Sequence, residues 1–309
     1  MASKIQVQKI TTLTGHRDCV YTLERSGEES FFFSASGDGM VVAWDLNNPD
    51  TGELVAKVST SVYALRHIPG RNLLLVGQNQ EGLQVIDLKD KKILKSVPLP
   101  KVAIFDILYI PELQKIFVAM AGGAVCVVSG DTFELQTMLR KSSKSARSLA
   151  YNPRTQELAV GYSDHTVRIY DAASLEMTHE LASHTNSVFT VAYSPDGKLL
   201  LTGGRDAHLR VWETAENYKE RGYTIAHMYT INHITYSPDG QHFATCSMDK
   251  SIKVWDAQTF KLLKVIDKVR NASHGTSVNK LFWSAHQNQL VSCSDDRTIS
   301  VWDIKQVEL

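Results

Sequence analysis

Residues 184–213 read HTNSVFTVAYSPDGKLLLTGGRDAHLRVWE, and their apolar residues recur with a period of two. Phe189, Val191 and Tyr193 alternate with smaller partners, as Leu209 and Val211 do ahead of Trp212. Leu199-Leu200-Leu201 is a continuous apolar run, the mark of a strand buried on both faces. Ser194-Pro195-Asp196-Gly197 supplies a tight hairpin turn and Gly203-Gly204 the next. The stretch therefore predicts several short antiparallel strands and no helix. It also holds a polar set at fixed intervals. His184 stands 28 residues before Trp212, Thr202 ten before it and Asp206 six before it.

The end of this stretch recurs along the chain as Trp44-Asp45, Ile86-Asp87, Val128-Ser129, Tyr170-Asp171, Trp212-Glu213, Trp255-Asp256 and Trp302-Asp303. Successive copies lie 42, 42, 42, 42, 43 and 47 residues apart. Prolines 69, 111, 153, 195 and 238 keep the same period independently. Seven copies use nearly all of the 309 residues, so 1–309 reads as a single repetitive domain. One four-stranded sheet of this size cannot bury both of its faces. Seven stacked radially can, and the ring they form leaves no outer face uncovered.

This pattern resembles the WD-repeat family of β-propellers over residues of about 5–304. The resemblance implies an all-β fold, a seven-bladed β-propeller of four-stranded antiparallel blades. The chain stops three strands into its last unit. The alternating segment Ile5-Gln6-Val7-Gln8-Lys9-Ile10 precedes the first Gly15-His16. In the family such a segment becomes the outer strand of the final blade, so here the N-terminal strand is expected to close the ring.

The resemblance also gives the polar set a role, as a buried hydrogen-bond chain between strands. An indole N–H only donates and must find an acceptor when buried. A Ser or Thr hydroxyl accepts it and donates onward to the His, whose other nitrogen the Asp fixes. Four units match fully: His16/Ser34/Asp38/Trp44, His184/Thr202/Asp206/Trp212, His227/Thr245/Asp249/Trp255 and His274/Ser292/Asp296/Trp302. A His–Asp–Ser set invites a hydrolase reading, but four repeat-locked copies mark scaffold, and no catalytic residue is assigned. The other units read Val58/Val76/Gln80/Ile86, Pro100/Val118/Gly122/Val128 and Ser142/Val160/Asp164/Tyr170, mostly apolar. They predict a softer arc, blades 2 to 4, with faster amide exchange than blades 5, 6, 7 and 1.

Composition excludes several classes. Formal net charge is zero, so no bulk field draws the chain to nucleic acid or an anionic membrane. No run approaches the roughly 20 apolar residues of a membrane span, and the start MASKIQVQKI has no apolar secretory core. Cys19, Cys126, Cys246 and Cys293 are widely spaced with no C-x-x-C, which suits buried thiols in a reducing compartment. A cytoplasmic protein is expected, or a nuclear one in a eukaryote. The sequon Asn271-Ala272-Ser273 is then coincidental. His165, His179, His208, His233, His242 and His286 lack ligand spacing, and no metal or cofactor is expected. Trp283 stands in series with Tyr109, Tyr151, Tyr193 and Tyr236 and reads as core packing; His67, in the same series, is expected to be partly exposed.

The family most often binds proteins or peptides on the face carrying the outer-to-inner connections and the turn between the second and third strands, here the upper face. There the residues five past the His position line the mouth: Tyr21, Tyr63, Phe105, Arg147, Phe189, Asn232 and Asn279. The residue before the Asp position adds Arg205, Met248 and Asp295. Val20, Val62, Ile104, Val188, Ile231 and Val278, one position earlier, are assigned to the core, which turns the rim residues the other way. An alternative has the rim rings stacking on each other along the channel. The basic segment Arg140-Lys141-Ser142-Ser143-Lys144-Ser145-Ala146-Arg147 and the expansion at Asp267-Lys268-Val269-Arg270-Asn271 fall on the same face. Together they suggest a non-enzymatic platform in a multiprotein complex, binding an acidic or phosphorylated peptide. The competing readings are a metal-dependent propeller hydrolase, which needs acids or histidines converging at the mouth, and a nucleic-acid or histone-tail reader, which salt would weaken strongly.

Overall fold

The computed structural model describes residues 3–308. Its strands form seven four-stranded antiparallel sheets, and each links by a loop to the next. Blades 1 to 6 occupy residues 20–57, 62–97, 104–140, 146–181, 188–225 and 231–266. The seventh blade combines Val278–Trp283, Gln289–Ser294 and Ile299–Glu308 with the N-terminal strand Ser3–Leu13 at its outer edge. Pairing runs from Ser3 opposite Glu308 to Leu13 opposite Ile299, with a bulge at Ile10. The expected closure of the ring is present. Ile5 and Leu13 are buried, and the Lys9 ammonium donates to the Ala272 carbonyl at 2.8 Å.

The core lies between blades rather than within any one of them. Seven apolar clusters each join one sheet to its neighbour, as a radial stack of two-sided sheets requires. Val20, Val62, Ile104, Val188, Ile231 and Val278 are fully buried, as their place in the alternation predicts. Burial of each Val or Ile contributes about 1.5–3 kcal/mol. Gly203 explains itself here, because a Cβ on it would lie 3.0 Å from Ile231 of the next blade. Two readings need correction. The expansion before His274 forms one helical turn, Lys268–Asn271, capped by the Asp267 carboxylate accepting from Arg270 N at 2.8 Å. His67 is buried rather than partly exposed, because its ring packs beside Phe33. Among the described residues no helix is long and apolar enough to cross a membrane.

All four polar chains assemble. The Trp44, Trp212, Trp255 and Trp302 indoles donate to Ser34, Thr202, Thr245 and Ser292 at 2.8–3.0 Å. Those hydroxyls lie 2.7–2.9 Å from Nε2 of His16, His184, His227 and His274. Each Nδ1 meets Asp38, Asp206, Asp249 or Asp296 at 3.3 Å in blade 1 and 2.9 Å in the others. With the Asp ionised, one proton assignment satisfies every member: indole to hydroxyl, hydroxyl to Nε2, Nδ1–H to carboxylate. The same carboxylates clamp the upper loops. They accept from Arg17, Thr185, Met228 and Gly275 N, just past each His, and from Met40, His208, Ser251 and Thr298 N in the next turn.

Blades 2 and 3 replace the chain with packing. Val58, Val76 and Ile86 are buried in the cluster between blades 1 and 2, and Val118 and Val128 in the Leu- and Ile-rich cluster between blades 2 and 3. Blade 4 departs from that expectation by building a different polar chain. Arg168 bridges Asp164 and Glu180, at 2.8 Å to each, and lies over the Tyr162 ring, whose hydroxyl contacts that of Tyr170. All four cysteines are free thiols, and Cys126, Cys246 and Cys293 are buried.

Candidate partner-binding face

One backbone bond repeats in all seven blades and fixes the upper face. The N–H of the residue before the Asp position donates to the carbonyl three past the His position. It runs from Gly37, Asn79, Ala121, Ser163, Arg205, Met248 and Asp295 to Cys19, Ser61, Ala103, Ser145, Ser187, Thr230 and Ser277 at 2.8–3.1 Å. It forms even where the polar chain is missing, so the two loops of every blade meet on this face.

The innermost strands begin at Val20, Val62, Ile104, Ala146, Val188, Ile231 and Val278. Each is bulged at its second residue. The unpaired residues are Tyr21, Tyr63, Phe105, Arg147, Phe189, Asn232 and Asn279, the whole predicted rim. A bulge leaves its extra residue out of the ladder and re-aims the side chain. Here it turns seven side chains together toward the ring axis.

Five of them form one continuous arc. The Tyr21 and Tyr63 rings meet edge-on at 4.7 Å, and Tyr63 stacks on Phe105 at 6.1 Å. The Arg147 guanidinium lies between two rings, 4.1 Å from Phe105 and 4.8 Å from Phe189. Its Nε–H donates to Ser163 Oγ at 3.0 Å. The rim rings do stack on each other, so the alternative arrangement describes the side chains accurately; all five remain half-exposed. Burial, and then the nearby charge of Arg205, depress the Arg147 pKa from its ordinary value. Among the described residues no carboxylate lies within 4 Å of the Arg147 or Arg205 guanidinium, and the neighbours of Arg147 are two rings and the Ser163 hydroxyl.

The other two bulge residues do a different job. Asn232 Nδ2 donates to Ser277 Oγ at 3.0 Å and to the Val278 carbonyl at 2.8 Å. Asn279 Nδ2 donates to the Val20 carbonyl at 2.9 Å and to Asp295 Oδ1 at 2.8 Å. These amides tie blade 6 to blade 7 and blade 7 to blade 1. Their donors are engaged, and Asp295 is engaged with them. Arg205 and Met248 are exposed.

Met248 has neighbours that the sequence reading passed over. Met228 and Tyr229, in the adjoining loop, are 82% and 60% exposed, against 58% for Met248. Ser247 Oγ donates to the Tyr229 carbonyl and Met248 N to the Thr230 carbonyl, which holds the two loops together. An apolar patch therefore tops blade 6, next to the Arg205 turn of blade 5. Their signal was the run Met228-Tyr229 directly after His227, where the other units, Val102 apart, carry polar residues or Gly.

A second cluster lies lower in the channel and escaped the sequence reading altogether. Glu24, Arg66, Asp106, His233 and Lys280 come from five different innermost strands and line one cavity. Asp106, Ser148, Thr190 and His233 also fasten blades, accepting from Leu149, Val191, Ile234 and Leu281 N at 2.8–3.4 Å. A signal existed: the position after the rim reads Thr22, Ala64, Asp106, Ser148, Thr190, His233, Lys280, nearly all polar inside apolar strands.

A family model for the WD domain, G-beta repeat, matches residues 7–45, 133–171, 175–213, 219–256 and 266–303, more than half of the chain. The chain belongs to the WD-repeat family. Each matched stretch ends on the aromatic–acid pair of a third strand. The unmatched residues 46–132 hold all of blade 2 and the three inner strands of blade 3, where the polar chain is absent, yet the structure shows both blades complete, the outer strand of blade 3 being Leu135–Arg140. A search of curated proteins gave no match. WD-repeat propellers typically serve as protein-interaction scaffolds.

Proposed function

We propose that the upper face is a docking platform for an extended acidic or phosphorylated segment of a partner protein within a multiprotein assembly. The observation that carries this reading is the arc Tyr21–Tyr63–Phe105–Arg147–Phe189, whose one guanidinium, Arg147, lies between two rings and, among the described residues, has no carboxylate within 4 Å. Aromatic rings and arginines are the residues that dominate binding energy at interfaces. A guanidinium pre-ordered between two rings loses little freedom on binding, and its remaining N–H groups suit a carboxylate or phosphate. Lys141, Lys144 and Arg140 enter blade 4 beside this point and add to the attraction. The Met228–Tyr229–Met248 patch takes an apolar residue of the same segment. Asn232, Asn279 and Asp295 form the fixed floor of the mouth.

In this reading the protein catalyses no reaction. The hydroxyl of each His–Asp–Ser/Thr set already serves the indole beside it, and no cofactor takes part. The buried thiols fit a reducing, cytoplasmic setting.

Fluorescence anisotropy with a panel of labelled acidic, phosphoserine-containing, neutral and basic peptides tests the proposal. Acidic or phosphorylated members should bind best. Arg147→Ala or Phe105→Ala should each cost about 2 kcal/mol, near thirtyfold in Kd. Equal binding of basic and acidic peptides, or binding that ignores both substitutions, would rule this reading out.

A further inference from the structure

The lower half of the channel holds a site with a chemistry of its own. A cavity of about 680 Å³ opens between the lower turns, and the upper arc lies above it. It has room because blades 4 and 5 place Ala150 and Ala192 where blades 1 and 2 place Glu24 and Arg66. Of the four acids that line it, Glu28 and Glu29 are exposed at the lower turn of blade 1, while the two buried ones, Asp106 and Glu24, are already engaged by backbone. Asp106 accepts from Leu149 N through Oδ2 at 2.8 Å and from Ile107 N through Oδ1 at 3.0 Å. Glu24 Oε1 accepts from His67 N.

The cations reach these acids only loosely. Lys280 Nζ stands 4.0 Å from Asp106 Oδ1, and Arg66 Nη1 stands 3.5 Å from Glu24 Oε1. The first distance is beyond a hydrogen bond and the second at its limit. Arg66 is braced through Nε, which donates to the Ile107 carbonyl at 2.8 Å, so its outer nitrogens stay free to donate. His233 adds one more donor. Its Nδ1 accepts from Leu281 N at 3.4 Å, which places the ring proton on Nε2. Lys280 and Arg66 also depress the His233 pKa, after burial, which sets both cations close to the ring.

We propose that this cavity binds a small organic oxyanion, a carboxylate or a phosphate, held by Lys280, Arg66 and the Nε2–H of His233. The ligand's apolar body lies against Ala150 and Ala192. Inside the channel, away from the exposed Glu28 and Glu29, the donors of Lys280, Arg66 and His233 face two buried carboxylates already engaged by backbone, and an oxyanion supplies several acceptor lone pairs on one compact group. The site is separate from the upper face, and it enters the ring from the opposite end.

Thermal-shift titration and calorimetry with succinate and with inorganic phosphate, against sodium chloride at matched ionic strength, test this directly. The two probes distinguish a carboxylate ligand from a phosphate. A saturable rise in Tm is expected for at least one of them. Saturation matters because phosphate also raises Tm non-specifically by exclusion from the surface. Lys280→Met should weaken the affinity about tenfold or more, the usual effect of losing a charge-assisted hydrogen bond. Ala150→Leu, which fills the cavity and leaves every charge in place, should abolish the effect, and it reads the site even if Lys280→Met folds poorly. The proposal fails if neither oxyanion gives a saturable shift, or if both variants respond as wild type does. It also fails if Arg147→Ala removes the effect while Lys280→Met keeps it, for the anion would then sit on the upper face.

Discussion

Asp206 shows how much one side chain does in this ring. It fixes the His184 tautomer, clamps Thr185 N at 3.0 Å and stabilises the turn through His208 N at 3.1 Å. Asp206→Ala orphans all three, and should cost about 1–3 kcal/mol in urea unfolding. The acid response follows from the same groups. Burial pushes the His16 and His227 imidazoles down, against the pull of Asp38 and Asp249. The unfolded chain therefore binds more protons than the folded one as pH falls through about 6.5, and stability declines there. Burial would raise the Asp206, Asp249 and Asp296 carboxyls, but the hydrogen bonds from the paired His and loop N–H groups outweigh it and hold them well below the ordinary range. Their contribution is complete above about 3.9 and is lost as the pH drops further. Denaturation midpoints measured across this range should fall in two stages on acidification. Constant stability from neutrality down to about pH 4 would contradict the assignment.

At the scale of elements, the N-terminal strand and the upper loops carry separate predictions. Deleting residues 1–12 removes Ile5 from its cluster and leaves the last blade with a bare edge. Because each blade buries its faces only against its neighbours, the whole ring should lose about 5–10 °C in Tm rather than shed a tail. An unchanged Tm would show that the strand does not latch the ring. The softer arc also takes a sharper form. Strands Leu73–Gln78 and Ala124–Ser129 are buried along their whole length, so their amides should be as protected as those of blades 5 and 6. The upper loops of blades 2 and 3, around Gln80 and Gly122, lack the carboxylate clamp and should exchange faster. Hydrogen-exchange mass spectrometry separates the two regions, and equal loop protection in all blades would count against the clamp. The strands and their order were legible because a fixed spacing reports them seven times over, and the polar chains because their intervals recur in four units. The bulges were not, since a register shift depends on the partner strand and leaves no mark in local spacing. The Glu24, Arg66, Asp106, His233 and Lys280 cluster was hidden for a related reason. Its members lie on five strands at two positions, so no interval recurs, and only comparing the same position across all copies brings them together.

Across the whole molecule the ring is unequal in two directions. Around it, full polar chains fasten blades 5, 6, 7 and 1, while packing and a separate arginine network fasten blades 2, 3 and 4. Along its axis, rings and unpaired guanidiniums face up, and loosely paired cations line the cavity below. The parts that repeat build the scaffold. The parts that vary, Phe105, Arg147, Phe189 and Arg205 above all, give the upper face its character. Affinity purification with wild type and with Tyr63→Ala/Phe105→Ala/Arg147→Ala tests that claim most directly, with Tm measured on both to show that the ring is intact. The account predicts that at least one protein recovered with wild type disappears with the triple variant. Recovery of the same proteins with both would contradict it.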